Sequence, residues 1–150
     1  MMNDDVMNIE GKWTYRSYHN MPDPSKDDRW GIYELTLKQD VDGFLEGKLD
    51  NGSPEEEYTV QGKIHNDGTR NADSKDKCFN INMIATGATN QTAGHEYRYL
   101  GRIIPKWQTG KNQRTAFIGT NIRTKYPGNP SQEGVVGCFV ATKKDSDMQT

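Results

Sequence analysis

The sequence has little of what marks several common protein classes. It has only two cysteines, Cys78 and Cys138, which is too few for a disulfide framework. Apolar residues make up 32% of the chain, and no run of them approaches the roughly 18 residues of a membrane-spanning helix. The 19 Lys and Arg residues against 21 Asp and Glu leave a net charge of −2, without the positive excess typical of nucleic-acid binding. We therefore expect neither nucleic-acid nor membrane partners.

Motifs for metals, cofactors and secretion are also missing. The histidines, His19, His65 and His95, have no partners at metal-ligand spacing. There is no nucleotide-binding glycine motif and no nucleophile elbow. The sequence therefore predicts no metal site and no cofactor. The first ten residues contain three acidic side chains and no apolar segment, so we expect no secretory signal and a cytoplasmic location with reduced cysteines.

Alternation of polar and apolar residues is the main signal in the chain. No window of about 12 residues keeps a helical period, whereas period-two alternation recurs between turn-forming Gly, Pro, Asn and Asp residues. This pattern predicts an all-β fold, an eight-stranded antiparallel up-and-down β-barrel. A single domain spans residues 1–150, with the barrel at about 11–144 and frayed tails at 1–9 and 145–150. The predicted strands are Gly11–His19, Ile32–Gln39, Gly43–Leu49, Tyr58–His65, Cys78–Thr86, Glu96–Ile104, Arg114–Thr124 and Val135–Lys143.

The connections follow from turn chemistry. Asp42 and Gly43 predict a tight turn between the second and third strands, and residues 109–112 predict one between the sixth and seventh. The connection 20–29 contains two prolines, so it is not a strand and could fold over an open end of the barrel. The connection 66–77 is polar throughout and is predicted to be mobile.

Five predicted strands carry a glycine at their middle, flanked by apolar residues. A glycine inside a strand costs stability, so five of them indicate sharp coiling in a small closed barrel; the alternative is coincidence in a glycine-rich chain. Since polar residues share the opposite phase of the third and fourth strands, the glycine phase is predicted to face inward. The glycines are Gly47, Gly62, Gly101, Gly119 and Gly137.

The inward phase of the remaining positions is aromatic with a few polar groups. Such an interior suits a ligand cavity, although hydrogen-bonded tyrosines could also fill a solid core. The predicted interior residues are Trp13, Tyr15, Ser17, His19, Tyr33, Leu35, Leu37, Phe79, Ile81, Met83, Tyr97, Tyr99, Phe117, Asn121, Arg123 and Phe139.

The outward phase of strands six to eight is apolar, whereas strands two to four place charges outside. An exposed apolar face marks an interface, so we expect a homo-oligomer through these three strands. The alternative is a register shift of one residue in strand seven or eight, which would turn the set inward. The residues are Leu100, Ile104, Ile118, Ile122, Val136, Cys138 and Val140.

Gly11-Lys12-Trp13 at the start of the first strand, followed by seven further strands, resembles the calycin superfamily of lipocalins, fatty-acid-binding proteins and avidins. In length and short hairpins the chain is most similar to avidins. The resemblance implies that the Gly-x-Trp segment closes one end of the barrel. It also implies that a basic side chain of a late strand, here Arg123 or else Lys143, packs over Trp13.

A second resemblance lies in Ile103-Ile104-Pro105-Lys106-Trp107. This stretch is similar to one in phenolic acid decarboxylases, which are also calycin-like barrels. It implies cofactor-independent chemistry by tyrosines, an arginine and a glutamate inside the barrel. Trp107 could instead simply pack on the barrel rim.

Three functions remain open from the sequence. The first is binding of a small, largely apolar or aromatic molecule inside the barrel. The second is a cofactor-independent isomerase, cyclase or lyase, with Tyr15 and Tyr99 as proton donors, Arg123 for an anionic group and His19 as a base at the mouth. The third is a filled structural barrel. The predicted ligand-binding residues are Trp13, Ser17, Tyr33, Tyr97, Phe117, Asn121 and Phe139.

Overall fold

A closed β-barrel forms most of the described structure, and one short 3₁₀ helix, Pro130–Gln132, lies in the connection before the last strand. The computed structural model describes residues 6–23, 25–26, 28–72, 77–105 and 107–144. Each strand pairs antiparallel with its neighbours in the sequence, and the last pairs with the first, so the predicted eight-stranded up-and-down barrel is confirmed. The strands are β1 (Gly11–His19), β2 (Arg29–Gln39), β3 (Phe44–Asp50), β4 (Glu57–Arg70), β5 (Lys77–Gly87), β6 (Glu96–Ile103), β7 (Ala116–Lys125) and β8 (Val136–Lys143).

Most strand boundaries lie within a few residues of the prediction, and the largest difference is in the β4–β5 hairpin. Residues 66–70, predicted to belong to a mobile connection, continue β4. Their polar side chains bond locally: Thr69 Oγ1 donates to Asp67 at 2.6 Å, and Arg102 pairs with the same carboxylate at 2.9 Å. The strand can therefore extend without an apolar face. Residues 73–76 of that connection and 145–150 of the predicted tail lie outside the described residues.

The mid-strand glycines hold neighbouring strands close together. A Cβ at Gly119 would overlap the Leu100 carbonyl oxygen, and one at Gly47 would overlap that of Thr36. Gly101 is less crowded, with the Ile118 carbonyl oxygen 2.9 Å from where its Cβ would lie. The close approach of these strands fits the small closed barrel that the glycines predicted. Because adjacent backbone occupies the space that a side chain would need, the glycines do not open room in the interior.

The N-terminal segment closes one end of the barrel. Trp13 and Ile9 are fully buried, and Trp13 Nε1 donates to the Ile9 carbonyl at 3.1 Å. Gln39 accepts from the Ile9 amide at 2.8 Å and donates to the Met7 carbonyl at 2.8 Å. The predicted frayed tail is therefore wrong for residues 6–9, while residues 1–5 lie outside the described part. The N-terminal backbone around Ile9 therefore covers the Trp13 indole at this end of the barrel.

Arg123 does not cover Trp13, which corrects the expectation drawn from calycins. The Trp13 ring packs against Phe117 at a centroid distance of 4.8 Å. Arg123 lies six residues further along β7, at the other end of the barrel, with its guanidinium 5.0 Å from the Trp30 ring. Lys143 is directly opposite Trp13 in the β1–β8 ladder. The two ends of the barrel are thus built from different residues.

The phase of the strands is as predicted. The interior positions from Trp13 to Phe139 are mostly buried, and Leu100, Ile118 and Val136 are exposed on the outside. Leu100 pairs with Thr120, and Thr120 with Cys138, so β6, β7 and β8 are in the expected register. The alternative register shift is therefore excluded. Both cysteines are free, as predicted.

Candidate functional site

The open end of the barrel brings polar and aromatic side chains together. The connections 20–28, 51–56, 88–95 and 126–135 all lie at this end, because alternate turns of an up-and-down barrel share one rim. The carboxyl ends of β1, β3, β5 and β7 meet there. The residues that converge on it are Ser17, His19, Trp30, Tyr33, Glu56, Tyr58, His95, Tyr97, Asn121, Arg123 and Tyr126.

Trp30 reaches this site through a β-bulge. Ser17 pairs with Gly31 but the next residue, Tyr18, pairs with Arg29, so Trp30 is an extra residue on β2. A bulge re-aims the side chain of the extra residue. The predicted second strand began at Ile32, so Trp30 was not assigned to a strand. Strict alternation from Tyr33 would in any case have placed its side chain outside the barrel. In the structure its ring stacks on His19 at 4.6 Å and meets Tyr97 edge-on at 6.2 Å.

A small cavity lies below these rings. Its volume is about 30 Å³, which is room for one or two water molecules. The barrel interior is therefore largely filled by aromatic side chains, and its remaining space lies toward the mouth. The lining residues are Tyr15, Ser17, Trp30, Tyr33, Leu49, Tyr58, Tyr97, Tyr99 and Asn121.

Tyr15 and Tyr99 form the floor of the cavity. Their hydroxyls are 3.3 Å apart, and Tyr15 donates to Tyr99. Burial raises the pKa of Tyr15 to about 12. Burial also raises the pKa of Tyr99 well above its ordinary value. Both phenols thus stay protonated at neutral pH and can act as hydrogen-bond or proton donors.

A carboxylate enters the site from the β3–β4 connection. The Tyr33 hydroxyl donates to Glu56 Oε1 at 2.5 Å, and Asn51 Nδ2 donates to Glu56 Oε2 at 2.8 Å. Burial, followed by this hydrogen bond, raises the pKa of Tyr33. The sequence analysis placed no carboxylate inside because it followed strand phase, and Glu56 lies in a loop. The run of three glutamates at 55–57 gave no sign of which one turns inward.

Arg123 lies at the mouth among three aromatic rings. Its guanidinium carbon is 5.0 Å from the Trp30 ring centroid, 5.6 Å from that of Tyr97 and 4.5 Å from that of Tyr126. Nε donates to the Tyr97 hydroxyl at 3.2 Å, and Nη1 donates to the side chain of Gln132 at 3.3 Å. Among the described residues no carboxylate forms an ion pair with it. Its positive charge is thus half-buried and not neutralised.

His95 supports this arrangement from the β5–β6 connection. Its ring stacks on Tyr126 at 4.4 Å. Burial, and then the charge of Arg123, lower the pKa of His95. The imidazole is therefore neutral at pH 7 and adds no second positive charge to the mouth.

Asn121 lines the cavity and carries an acceptor without a hydrogen-bond partner among the described residues. The residue is 2% exposed, and its Oδ1 has no hydrogen-bond partner in the part of the chain that the structure describes. A buried polar atom without a partner costs about 1 to 3 kcal/mol. Asn121 lies directly opposite Tyr99 in the β6–β7 ladder and lines the same cavity. A donor entering the cavity would satisfy it.

The predicted site residues separate into two groups. Tyr15, Ser17, Tyr33, Tyr97, Tyr99 and Asn121 line the cavity, and His19 and Arg123 lie at its mouth. Trp13 and Phe117 pack together at the closed end instead. Phe139 lies between these groups, stacked on Tyr15 at 5.8 Å and edge-on to Phe117 at 5.9 Å. These three residues do not line the cavity.

Comparison with known protein families and with curated proteins finds no match for this chain. Within the described residues, no three or more His, Cys, Asp or Glu side chains are grouped so that they could hold a metal ion. In that same part of the chain, no helix has the length and apolar character needed to cross a membrane.

Proposed function

We propose that this protein binds a small aromatic molecule with an anionic group at the open end of the barrel. The observation that carries the proposal is the buried Asn121 Oδ1, which lacks a hydrogen-bond partner among the described residues and belongs to a residue that lines a tyrosine-rich cavity. Binding sites are typically apolar clefts with a few convergent polar groups, and natural barrels rarely leave such an atom without a role.

The walls above Asn121 favour an aromatic ring. Tyr58 and Tyr97 meet edge-on at 5.5 Å, and Trp30 meets Tyr97 at 6.2 Å. Flat aromatic faces around one small space favour a planar ligand, because ring pairs contribute about 0.5 to 1.5 kcal/mol beyond the burial of apolar area.

Arg123 favours a negative charge on that ring. A guanidinium held by aromatic rings and without a carboxylate partner is prepared for a bidentate pair with a carboxylate. Arg123 and Asn121 share the inward phase of β7, two residues or about 7 Å apart. This separation is close to the length of a benzene ring with para substituents. A 4-hydroxybenzoate-like molecule could therefore donate from its hydroxyl to Asn121 and place its carboxylate on Arg123.

The cavity must widen for such a ligand. Its volume of about 30 Å³ is smaller than a benzene ring, so Trp30, Tyr97 and Arg123 would move outward on binding. Their contacts with one another are cation–π and edge-on ring contacts, worth about 0.5 to 2 kcal/mol each, and the hydrogen bond from Arg123 to the Tyr97 hydroxyl, worth about 1.5 to 3 kcal/mol for a charged donor. The ligand's own ring and carboxylate replace the contacts that are lost.

Tryptophan fluorescence tests the proposal. Titration with 4-hydroxybenzoate is expected to change the emission of Trp30 at the mouth, while Trp13 is buried at the far end. Trp30→Phe removes the response without removing binding, which calorimetry then follows. Asn121→Leu abolishes binding, and Asn82→Ala, at an exposed asparagine on the outer surface, is the matched control.

The role of the charge is tested separately. Arg123→Gln should weaken 4-hydroxybenzoate binding at least about tenfold, or ~1.4 kcal/mol, and leave 4-hydroxybenzyl alcohol unaffected. Arg123→Lys should restore part of the loss. Equal binding of acid and alcohol by the wild type would remove the anionic group from the proposal. No binding of either would overturn the aromatic site itself.

The second candidate function is cofactor-independent catalysis at the same site. It is favoured by the Tyr33–Glu56 pair, in which a phenol is hydrogen-bonded to a carboxylate at 2.5 Å. The Glu56 carboxylate of such a pair can accept a proton from a bound substrate and return it at another position, while the Tyr33 hydroxyl holds the carboxylate in place. If a bound aromatic acid is slowly converted, Glu56→Gln should lower kcat far more than KM. Unchanged turnover in that variant would exclude this role.

Two further assignments are proposals. We assign the barrel to the calycin type on the strength of Gly11 and Trp13 at its closed end, although the basic residue over that tryptophan is not Arg123.

We also propose a cytoplasmic location, because Cys78 and Cys138 are both free thiols. Quantifying free thiols in protein taken directly from cells tests the second assignment.

A further inference from the structure

His95 carries a second polar atom without a partner at the open end of the barrel. Its Nδ1 is buried and, like Asn121 Oδ1, has no hydrogen-bond partner in the part of the chain that the structure describes. A buried polar atom without a partner costs free energy, and an imidazole is the side chain whose charge changes most readily near neutral pH. His95 is therefore a group that can respond when the charge of the mouth changes.

The connection that carries His95 is fixed at both ends of the residue. The His95 amide donates to the Thr92 carbonyl at 2.9 Å, and its own carbonyl accepts from the Gly87 amide at 2.9 Å. The Thr92 hydroxyl in turn donates to the Glu57 carbonyl at 3.1 Å. The imidazole itself stacks on Tyr126. A change of charge at the mouth thus acts on an imidazole that is held in place.

His95 and Arg123 contact the same aromatic ring. The imidazole centroid is 4.4 Å from the Tyr126 centroid, and the guanidinium carbon is 4.5 Å from it. Across two such distances in a partly buried site, one charge changes the proton affinity of the other group by roughly tenfold. In the free protein, burial and then the charge of Arg123 lower the pKa of His95.

The charged and titratable groups around His95 come from three segments. They are Arg123 on β7, Tyr126 in the connection that follows it, and Glu56 in the β3–β4 connection. Glu56 favours the protonated imidazole, but less than Arg123 opposes it, and both carboxylate oxygens already accept hydrogen bonds within the chain. Arg123 has no carboxylate partner among the described residues. Its charge is therefore the one that an anionic ligand would neutralise.

We propose that binding of an anionic group at Arg123 is coupled to uptake of a proton from solvent at His95, so that the site holds anionic ligands more tightly as the pH falls. The inference rests on the proposed function, because the ligand carboxylate must pair with Arg123. Once it does, the guanidinium opposes a positive imidazole less, and the carboxylate favours one. By linkage, a proton that binds the complex more tightly than the free protein also tightens ligand binding.

NMR titration of the histidines in the ligand-free protein tests the coupling itself. In Arg123→Gln the pKa of His95 should rise, because a neutral side chain replaces the charge that opposes protonation. Lys125→Gln is the matched control on the same strand; its exposed side chain pairs with Glu96, and its removal should change the pKa of His95 far less. An unchanged pKa of His95 in Arg123→Gln would overturn the inference without any ligand.

Calorimetry in buffers of different ionisation enthalpy counts the protons taken up on binding. Wild type should take up part of a proton when it binds 4-hydroxybenzoate near neutral pH. The Kd should fall at least about threefold between about pH 8 and about pH 6, a range in which the ligand carboxylate stays ionised. The neutral 4-hydroxybenzyl alcohol should show neither effect. In NMR of the wild type, saturating acid should raise the pKa of His95.

Variants of the three histidines assign the proton. His95→Gln should bind the acid without proton uptake and with little change in Kd over this range. His19→Gln, at the mouth on the other side of Trp30, and His65→Gln, which pairs with Asn80 on β4, should keep both effects. Acid binding without proton uptake, or uptake that is lost with His19 instead of His95, would overturn the inference and leave the proposed function standing. No acid binding would overturn both.

Discussion

The Tyr33 hydroxyl and Glu56 Oε1 are 2.5 Å apart, and this hydrogen bond carries a loop carboxylate into the mouth of the barrel. Tyr33 is fixed by its strand, whereas Glu56 reaches it from the β3–β4 connection. The pair lies beside the cavity floored by Tyr15 and Tyr99. The open end therefore combines phenol donors, one carboxylate and one guanidinium in a space of a few side chains.

The tyrosines of the cavity predict how stability depends on pH. Unfolded tyrosine has a pKa of about 10, and burial raises the pKa of Tyr15 to about 12 in the folded state. A group whose pKa is raised by folding contributes stability that is fully present below the unfolded pKa and is lost as pH rises through the folded pKa. Denaturant unfolding should thus give a free energy that falls between about pH 10 and 12, by roughly 2 to 3 kcal/mol for Tyr15 alone.

Ultraviolet titration of the folded protein checks the same prediction. Tyr15, Tyr33, Tyr58 and Tyr99 should ionise above the range of free tyrosine, because burial raises the pKa of each. In Glu56→Gln the ionisation of Tyr33 should move to lower pH, since the nearby charge is removed. Ionisation of all seven tyrosines near pH 10 without unfolding would contradict the buried cluster.

Gly119→Ala should strongly destabilise the barrel. A Cβ there would overlap the Leu100 carbonyl oxygen, and that backbone is held in the β6–β7 ladder. Overpacking of this kind costs about 1 to 3 kcal/mol or more. Gly101→Ala is the graded comparison, because its nearest atom is 2.9 Å away. Equal unfolding free energies for the two variants, measured by denaturant, would refute the proposed role of the glycines in closing the barrel.

Trp13→Phe should lower the stability of the barrel without changing ligand binding. The substitution removes the hydrogen bond to Ile9 and leaves part of the indole volume unfilled, so we expect a loss of about 2 to 4 kcal/mol in unfolding free energy. Binding of 4-hydroxybenzoate should not change, since Trp13 lies at the opposite end from the cavity. A parallel loss of affinity in the folded variant would mean that the ligand enters deeper than proposed.

Asn121→Leu should raise the stability of the barrel and abolish ligand binding. Replacing a buried amide that lacks a partner by an apolar side chain of similar size should raise the unfolding free energy by about 1 kcal/mol. The same variant should lose ligand binding. A clear loss of stability would show that the amide already has a structural role, and the argument for the site would fail.

Strand positions and their inward phase could be predicted because period-two alternation is a local property. The apolar face of strands six to eight followed from the same phase. Trp30 could not be found, since it is the extra residue of a β-bulge in β2, opposite Ser17 and Tyr18, and the bulge reverses its side. Glu56 could not be found because no periodicity governs a loop. The resemblance to calycins led to the expectation that Arg123 covers Trp13, whereas Arg123 lies at the other end of the barrel. How far side chains fill the interior depends on the distances between strands, which the sequence does not show.

Backbone and side-chain NMR of the wild-type protein during titration with 4-hydroxybenzoate tests the central claim most directly. The account predicts saturable shifts of the Trp30 indole N–H and the Asn121 side-chain amide, with the Trp13 indole unmoved. Shifts confined to Leu100, Ile118 and their neighbours on the outer face, or none at saturation, would contradict a binding site at the open end of the barrel.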